Sequence, residues 1–123
     1  MGIAKFWNGT DKIFISGKES GLYDLTSADA TYRVTCHEVV NHFSFHPNAT
    51  LVVTGSHDGS WSLHDVNARQ ILVKIQEQSP VTVIEFHPDG LVLAVGLASG
   101  AVNIYDIRTP EERAMQLVGP INN

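Results

Sequence analysis

Apolar residues in this chain fall in short runs broken by turn residues, and nowhere do they hold the 3.6-residue period of an amphipathic helix. In the middle of the chain the runs lie at about 40–46, 50–55, 60–65 and 69–75. Pro47-Asn48-Ala49, Ser56-His57-Asp58-Gly59 and Asn67-Ala68 separate them. Further on they lie at about 81–86, 91–96, 101–106 and 113–118, with turns at Pro88-Asp89-Gly90, Ala98-Ser99-Gly100 and Arg108-Thr109-Pro110. Short β-rich runs bounded by Gly, Pro, Asn and Asp predict strands joined by tight turns. Two of them, TLVV (50–53) and LVLAV (91–95), are continuously apolar, as expected of strands covered on both faces. QILVKI (70–75) mixes polar with apolar residues, as expected of an edge strand.

The two sets of strands are copies of one pattern. VVNHFSFHPNATLVVTGSHDGSWSLHDV (39–66) aligns without a gap on PVTVIEFHPDGLVLAVGLASGAVNIYDI (80–107), an offset of 41 residues. Gly59 falls on Gly100 and Asp65 on Asp106, and the same step backwards from Asp65 reaches Asp24 in GLYDL. Four strands in forty-odd residues predict the blade of a β-propeller. The fold class expected is therefore all-β, about three four-stranded antiparallel blades. Residues 1–38 form a degenerate blade, 39–79 and 80–118 two regular ones, and 119–123 the start of another, since Pro120-Ile121 matches Pro80-Val81. In the first blade IFISGKESGLYDL is two residues shorter than its counterpart, and TYRV (31–34) supplies the outer strand. Propellers close with four to eight blades. Three predict a slice of a larger ring that is poorly soluble or self-associates.

The order FHPDG, an apolar pair with Gly, a turn Gly and an apolar-aromatic-Asp triplet resembles the WD repeat. The resemblance covers nearly the whole chain, with departures. Tyr23, His64 and Tyr105 stand where the family has Trp, the Gly-His signal survives only as Cys36-His37, and the turn Asp is Asp58 in one blade but Ser99 in the next. The family's blades are stiffened by a His–Asp–Ser/Thr–Trp hydrogen-bond network. The resemblance implies that His37, Asp58 and Thr54 carry part of it, that His64 loses the Trp position, and that the third blade lacks it. HDGSWSLHDVNARQILVKI (57–75) followed by VTVIEFHPDGLVLAVG (81–96) is similar to the C-terminal propellers of the pre-mRNA-processing factor 19 family. That likeness implies a nuclear protein-recruiting propeller whose parent is a spliceosome-associated U-box ubiquitin ligase. The alternative is a cytosolic WD-repeat adaptor in signalling or trafficking.

Composition narrows the function further. A net charge of −5 with 8 Lys and Arg provides no basic patch for a phosphate backbone, so direct nucleic-acid binding is not expected. No apolar run is long enough to cross a bilayer as a helix. A single cysteine, Cys36, has no internal disulfide partner, which fits a reducing compartment. Asn8-Gly9-Thr10 and Asn48-Ala49-Thr50 match the glycosylation sequon but read as turns. Ser56-His57-Asp58 are neighbours in one turn, so their side chains diverge rather than converge as a hydrolytic triad must. His42 and His46 on one extended strand lie roughly 13 Å apart, too far to share a metal ion with bonds near 2 Å. No GxGxxG or Walker lysine appears. No catalytic residue, metal or cofactor is therefore expected. The expected work is protein binding on loops held in fixed register by rigid blades, with His37, Glu38, His57, Gln76, Gln78 and Ser99 on the binding rim. Asn48, Asn67, Asp89 and Arg108 belong to the opposite rim. The remaining blades of a parent ring, or a second copy through open blade edges, are the other expected partners.

Overall fold

A computed structural model describes residues 3–7, 11–27, 29–37, 39–48 and 50–118. Glu38 and the expected start of a further blade at 119–123 lie outside the described residues. Twelve strands and no helix are found among those described. β1 (Ala4–Phe6), β2 (Lys12–Ile15), β3 (Gly21–Asp24) and β4 (Ala30–Arg33) form the first sheet. The second is β5 (His42–Phe45), β6 (Leu51–Gly55), β7 (Ser60–Asp65) and β8 (Gln70–Gln76). The third is β9 (Val81–Phe86), β10 (Val92–Leu97), β11 (Ala101–Asp106) and β12 (Arg113–Val118). Each is an antiparallel meander in chain order, the blade that the repeat predicts. Only β1 escapes the sequence pattern: its three residues, Ala-Lys-Phe, are all exposed and present no apolar run.

Register decides which side chains share a face. In the second sheet Val52 pairs with Phe45 and His64, and Thr54 with Phe43 and Ser62, so these six point one way, toward the first sheet. Val53 pairs with Ser44 and Leu63, and Gly55 with His42 and Trp61, and these point the other way. Both faces are covered. Trp7, Phe14, Leu22 and Val34 of the first sheet region pack with Phe43 and Val52, while Val53, Trp61 and Leu63 pack with Val81, Ile84, Leu93 and Val95. The core therefore consists of two separate layers, one at each blade junction. This is why TLVV and LVLAV read as continuous apolar runs.

The repeat also fixes two backbone features. The pairing of third with fourth strand shifts register at Leu22/Tyr23, Leu63/His64 and Ile104/Tyr105, a β-bulge at one repeat position in every blade. Such bulges bend the strand and raise its twist. Immediately after it, the recurrent aspartate caps the following turn: Asp24 Oδ1 accepts the Thr26 amide at 2.8 Å, Asp65 Oδ1 that of Ala68 at 3.0 Å, and Asp106 Oδ1 that of Arg108 at 2.9 Å. The conformation of the turn, and not chemistry, accounts for the triplet's aspartate.

Gly59 and Gly100 both adopt positive φ, 92° and 98°, a region that costs an L-residue about 1–2 kcal/mol. They differ in room. A Cβ on Gly59 would lie 2.8 Å from Gln76 Nε2 and 3.0 Å from the Glu77 carbonyl oxygen, whereas one on Gly100 would meet nothing within 4 Å. Gly100→Ala is expected to lower stability by about 1–2 kcal/mol. Gly59→Ala should cost clearly more. Urea denaturation of the two variants side by side checks the order, and equal losses would mean that the crowding at Gly59 relaxes freely.

Candidate functional site: the blade junctions and the rim above them

The buried polar groups lie in the junctions. Between the first and second sheets, Tyr32 of β4 reaches His64 of β7 (Oη to Nδ1, 2.7 Å). His64 Nε2 lies 2.8 Å from Thr54 Oγ1, and Thr54 Oγ1 lies 3.0 Å from His37 Nε2. His37 Nδ1 lies 2.7 Å from Ser60 Oγ, which donates to Asp58 Oδ1 at 2.5 Å. Thr54 and His64 are fully buried and His37 nearly so. Burial pushes the His64 and His37 imidazoles down, to about 3 and about 4, so both rings are neutral near pH 7. Desolvation opposes the charge on Asp58, but the Ser60 hydroxyl and amide and the nearby His37 hold its carboxyl below the usual range.

Counting protons then assigns every bond. Ser60 has one hydroxyl proton and gives it to Asp58, so His37 donates from Nδ1. A neutral His37 accepts at Nε2, and the proton comes from Thr54. Thr54 has no second proton, so His64 donates from Nε2 and accepts at Nδ1 from Tyr32. The result is a one-way chain from Tyr32 through His64, Thr54, His37 and Ser60 to the Asp58 carboxylate, with each tautomer fixed by its neighbours. Burial in this chain also pushes the Tyr32 phenol up to about 12. His37, Asp58 and Thr54 thus stand together as the sequence implies. The position of His64 needs correction: the imidazole takes the Trp place in the network and extends it to the neighbouring sheet.

The third blade carries a network of another kind. There the junction is built on a carboxylate. Glu77 Oε2 accepts the Trp61 indole N–H at 2.9 Å and the Tyr105 hydroxyl, and Oε1 accepts the Asn103 amide at 2.9 Å. Asn103 Oδ1 in turn accepts from Gln116 at 2.7 Å. Tyr105 holds the repeat position of His64, stacks edge-on against Trp61 at 4.8 Å, and is pushed up to about 12 by burial and then by Glu77. Sequence alignment missed this network because residue 78, a glutamine, is the counterpart of His37, and the working carboxylate sits one position earlier.

Cys36 Sγ, His37 and His64 bring ligand atoms within 4.8 Å of one another, a grouping that the sequence did not suggest. All four ring nitrogens are already in hydrogen bonds, and Cys36 Sγ lies 3.2 Å from Ser62 Oγ. A metal ion would have to displace the Thr54 and Tyr32 hydroxyl protons. His42 and His46, which the sequence places on one strand, address different parts of the third sheet: His42 Nδ1 lies 3.2 Å from the Ile84 amide, and His46 Nε2 lies 2.8 Å from the Gly90 carbonyl. Ser56, His57 and Asp58 do not converge. Ser56 is buried and accepts the Asp58 amide, while His57 is exposed.

Above the junctions the loops meet on one rim. Lys74 Nζ donates to the Cys36 carbonyl at 2.7 Å, Gln76 Nε2 to that of Asp58 at 2.9 Å, and the Ser99 amide to Ser79 Oγ at 3.0 Å. Gln76, Glu77, Gln78 and Ser99 line a polar cleft of about 550 Å³ with Arg113 and Gln116. His57 and Asp58 line a second hollow of about 410 Å³ with Asn41. His37, expected on this rim as a contact residue, is instead turned inward. It is 6% exposed with both nitrogens in the chain of bonds, and its role is inside the blade. Glu38 lies outside the described residues.

Compared with known families, residues 4–118 match a β-propeller family described as Nucleolar protein 10-like, N-terminal domain. No curated protein matches the chain.

Proposed function

Because the chain belongs to the nucleolar protein 10-like N-terminal β-propeller family, we propose that it is a protein-binding scaffold whose contact surface is the rim above the two junctions. The observation that carries this reading is the division of labour among the polar residues. The titratable groups of the interior are spent on holding sheets together, whereas His57, Gln78 and Ser99 stand exposed on loops that the junction networks hold in place. Exposed polar loops on a rigid support are what a recognition surface needs. The family's name supports a nuclear, and specifically nucleolar, setting, which agrees with the lone cysteine and the reducing compartment that it implies.

Replacing His57 and Gln78 together by Ala is expected to cut capture of a bound protein by at least tenfold in a quantitative pull-down from nuclear extract. The melting temperature should stay within a degree or two, because both side chains are exposed. Undiminished capture would move the binding surface elsewhere. A fluorescent fusion that stays in the cytosol would overturn the nuclear assignment.

A second reading, a splicing and ubiquitination scaffold, rests on the motif order 57–75 followed by 81–96. A U-box upstream in the full gene is the observation that would support it, and the family match lends it no weight.

A further inference from the structure

A third hollow, of about 310 Å³, opens at the junction of the first and second sheets. It lies at the other end of β7 from Asp58, away from the rim described above. Its floor is apolar: Trp7, Leu22 and Val66 are all buried. Its walls are polar and basic. Lys12 of β2 and Thr31 of β4 come from the first sheet, and Asn67 and Arg69 from the turn between β7 and β8. No acidic residue lines it, whereas Glu77 and Asp58 stand in the walls of the other two hollows. In a chain of net charge −5 with 8 Lys and Arg, two of those cations line one small pocket.

Arg69 stands there against the preference of its backbone. Among the described residues it is the one non-glycine residue at positive φ, 56°, a region that a Cβ disfavours and glycine occupies freely. The repeat does not account for it, since one offset of 41 further on stands Pro110, whose ring fixes φ at a negative value. Contacts do not account for it either. Arg69 is exposed, and its guanidinium has no ion pair or hydrogen bond among the described residues. The neighbouring carboxylates are engaged elsewhere. Asp65 Oδ1 accepts the Ala68 amide, and Asp24 Oδ1 accepts the Thr26 amide and hydroxyl. Asp24 Oδ2 lies 3.9 Å from Lys12 Nζ, too long for a hydrogen bond.

We propose that this pocket binds a carboxylate borne on a compact apolar group, either a small organic acid or the free C-terminal residue of a partner chain. Arg69 and Lys12 supply charge-assisted bonds to the carboxylate. The Asn67 amide and the Thr31 hydroxyl serve an adjoining polar group, and the apolar body lies on Trp7, Leu22 and Val66. A bare phosphate or sulfate would satisfy the cations and leave that floor uncovered. The volume is at the lower end of the range for small-molecule sites. The pocket shares no residue with the rim assigned above to protein binding.

N-acetylleucine serves as the probe. Titrated into the isotope-labelled chain, it should shift the Trp7 indole, Asn67 side-chain and Arg69 amide NMR signals saturably, with a dissociation constant on the order of 0.1–1 mM. The signals of Gln78 and Ser99 should stay in place. N-acetylleucinamide, which lacks the charge, should bind at least tenfold more weakly. Arg69→Gly should also cost at least tenfold in affinity. Because glycine relieves the positive φ, the melting temperature of that variant should equal or exceed the parent's, so its lost binding is not lost folding. A short peptide ending in a free leucine that binds at least tenfold more tightly than N-acetylleucine assigns the pocket to chain ends; equal affinity assigns it to small acids. The absence of saturable shifts at tens of millimolar, equal affinity for the amide, or inorganic phosphate that binds as tightly as the acid would each overturn the proposal. So would an Arg69→Gly variant that still binds, or one less stable than the parent, since Arg69 would then serve the turn.

Discussion

Acidification from pH 7 to 4 is expected to unfold the chain, with the loss of stability starting near pH 6.5. His37 and His64 titrate near 6.5 in an unfolded chain but are held down to about 4 and about 3 in the fold. Between those limits the unfolded state binds protons that the folded state refuses, so stability falls as the pH falls. The fall levels off only below the folded values. At about 1.4 kcal/mol per pKa unit, the two rings together put several kcal/mol at stake, a large share of the 5–15 kcal/mol typical of a domain. Melting temperatures followed by circular dichroism should therefore drop steeply between pH 6.5 and 4. Tyr32→Phe removes the proton that His64 Nδ1 accepts, and should move the midpoint of acid unfolding to higher pH. A melting temperature that stays flat down to pH 4 would show that the rings are open to water and the bond chain does not persist in solution.

Glu77→Ala should be the most damaging single change at the other junction. It strips the acceptor from the Trp61 indole, the Tyr105 hydroxyl and the Asn103 amide at once. All three side chains are buried at 4% exposure or less. Leaving buried donors unpaired costs about 1–3 kcal/mol each, and here there are three of them. A loss on the order of 3–5 kcal/mol in urea denaturation is expected. Glu77→Gln should recover only part of it. Its amide oxygen can serve Trp61 and Tyr105, but its NH₂ would face that of Asn103, whose own oxygen is already taken by Gln116. A loss below about 1 kcal/mol for the alanine variant would mean that water replaces the carboxylate.

The fold was legible in the sequence because it is periodic. An offset of 41 residues carries apolar runs, turn glycines and capping aspartates together, and a pattern repeated at fixed spacing admits few alternatives. β1 was not legible, since three exposed residues leave no pattern to read. The bulge at Leu63/His64 and its two counterparts was equally hidden, because nothing in residue type marks a register shift.

The polar interior was legible only where residues kept their types. His37, Thr54 and Asp58 stayed recognisable at their repeat positions. His64 stands out as a loss in the sequence because family likeness asks for an indole, whereas the site asks for a ring nitrogen that can donate to Thr54. Glu77 was missed for a geometric reason. A long side chain one residue out of register still reaches the atoms that a shorter one would touch in register. Alignment compares positions, while hydrogen bonds compare the places where side chains end.

The two junctions, one holding neutral imidazoles and hydroxyls and the other a carboxylate with three donors, make neighbouring blades non-interchangeable despite their common backbone. Were the second and third sheets exchanged, Glu77 would arrive where the Trp61 indole no longer faces it, and His64 would lose Tyr32. The sequence order of the blades is thus enforced by a lock particular to each seam, laid over apolar faces that by themselves would accept any neighbour. A chain of near-identical blades is always at risk of assembling with one skipped or doubled. Here such an error would bury unmatched donors or a bare charge, and the misassembled form would be rejected at the seam.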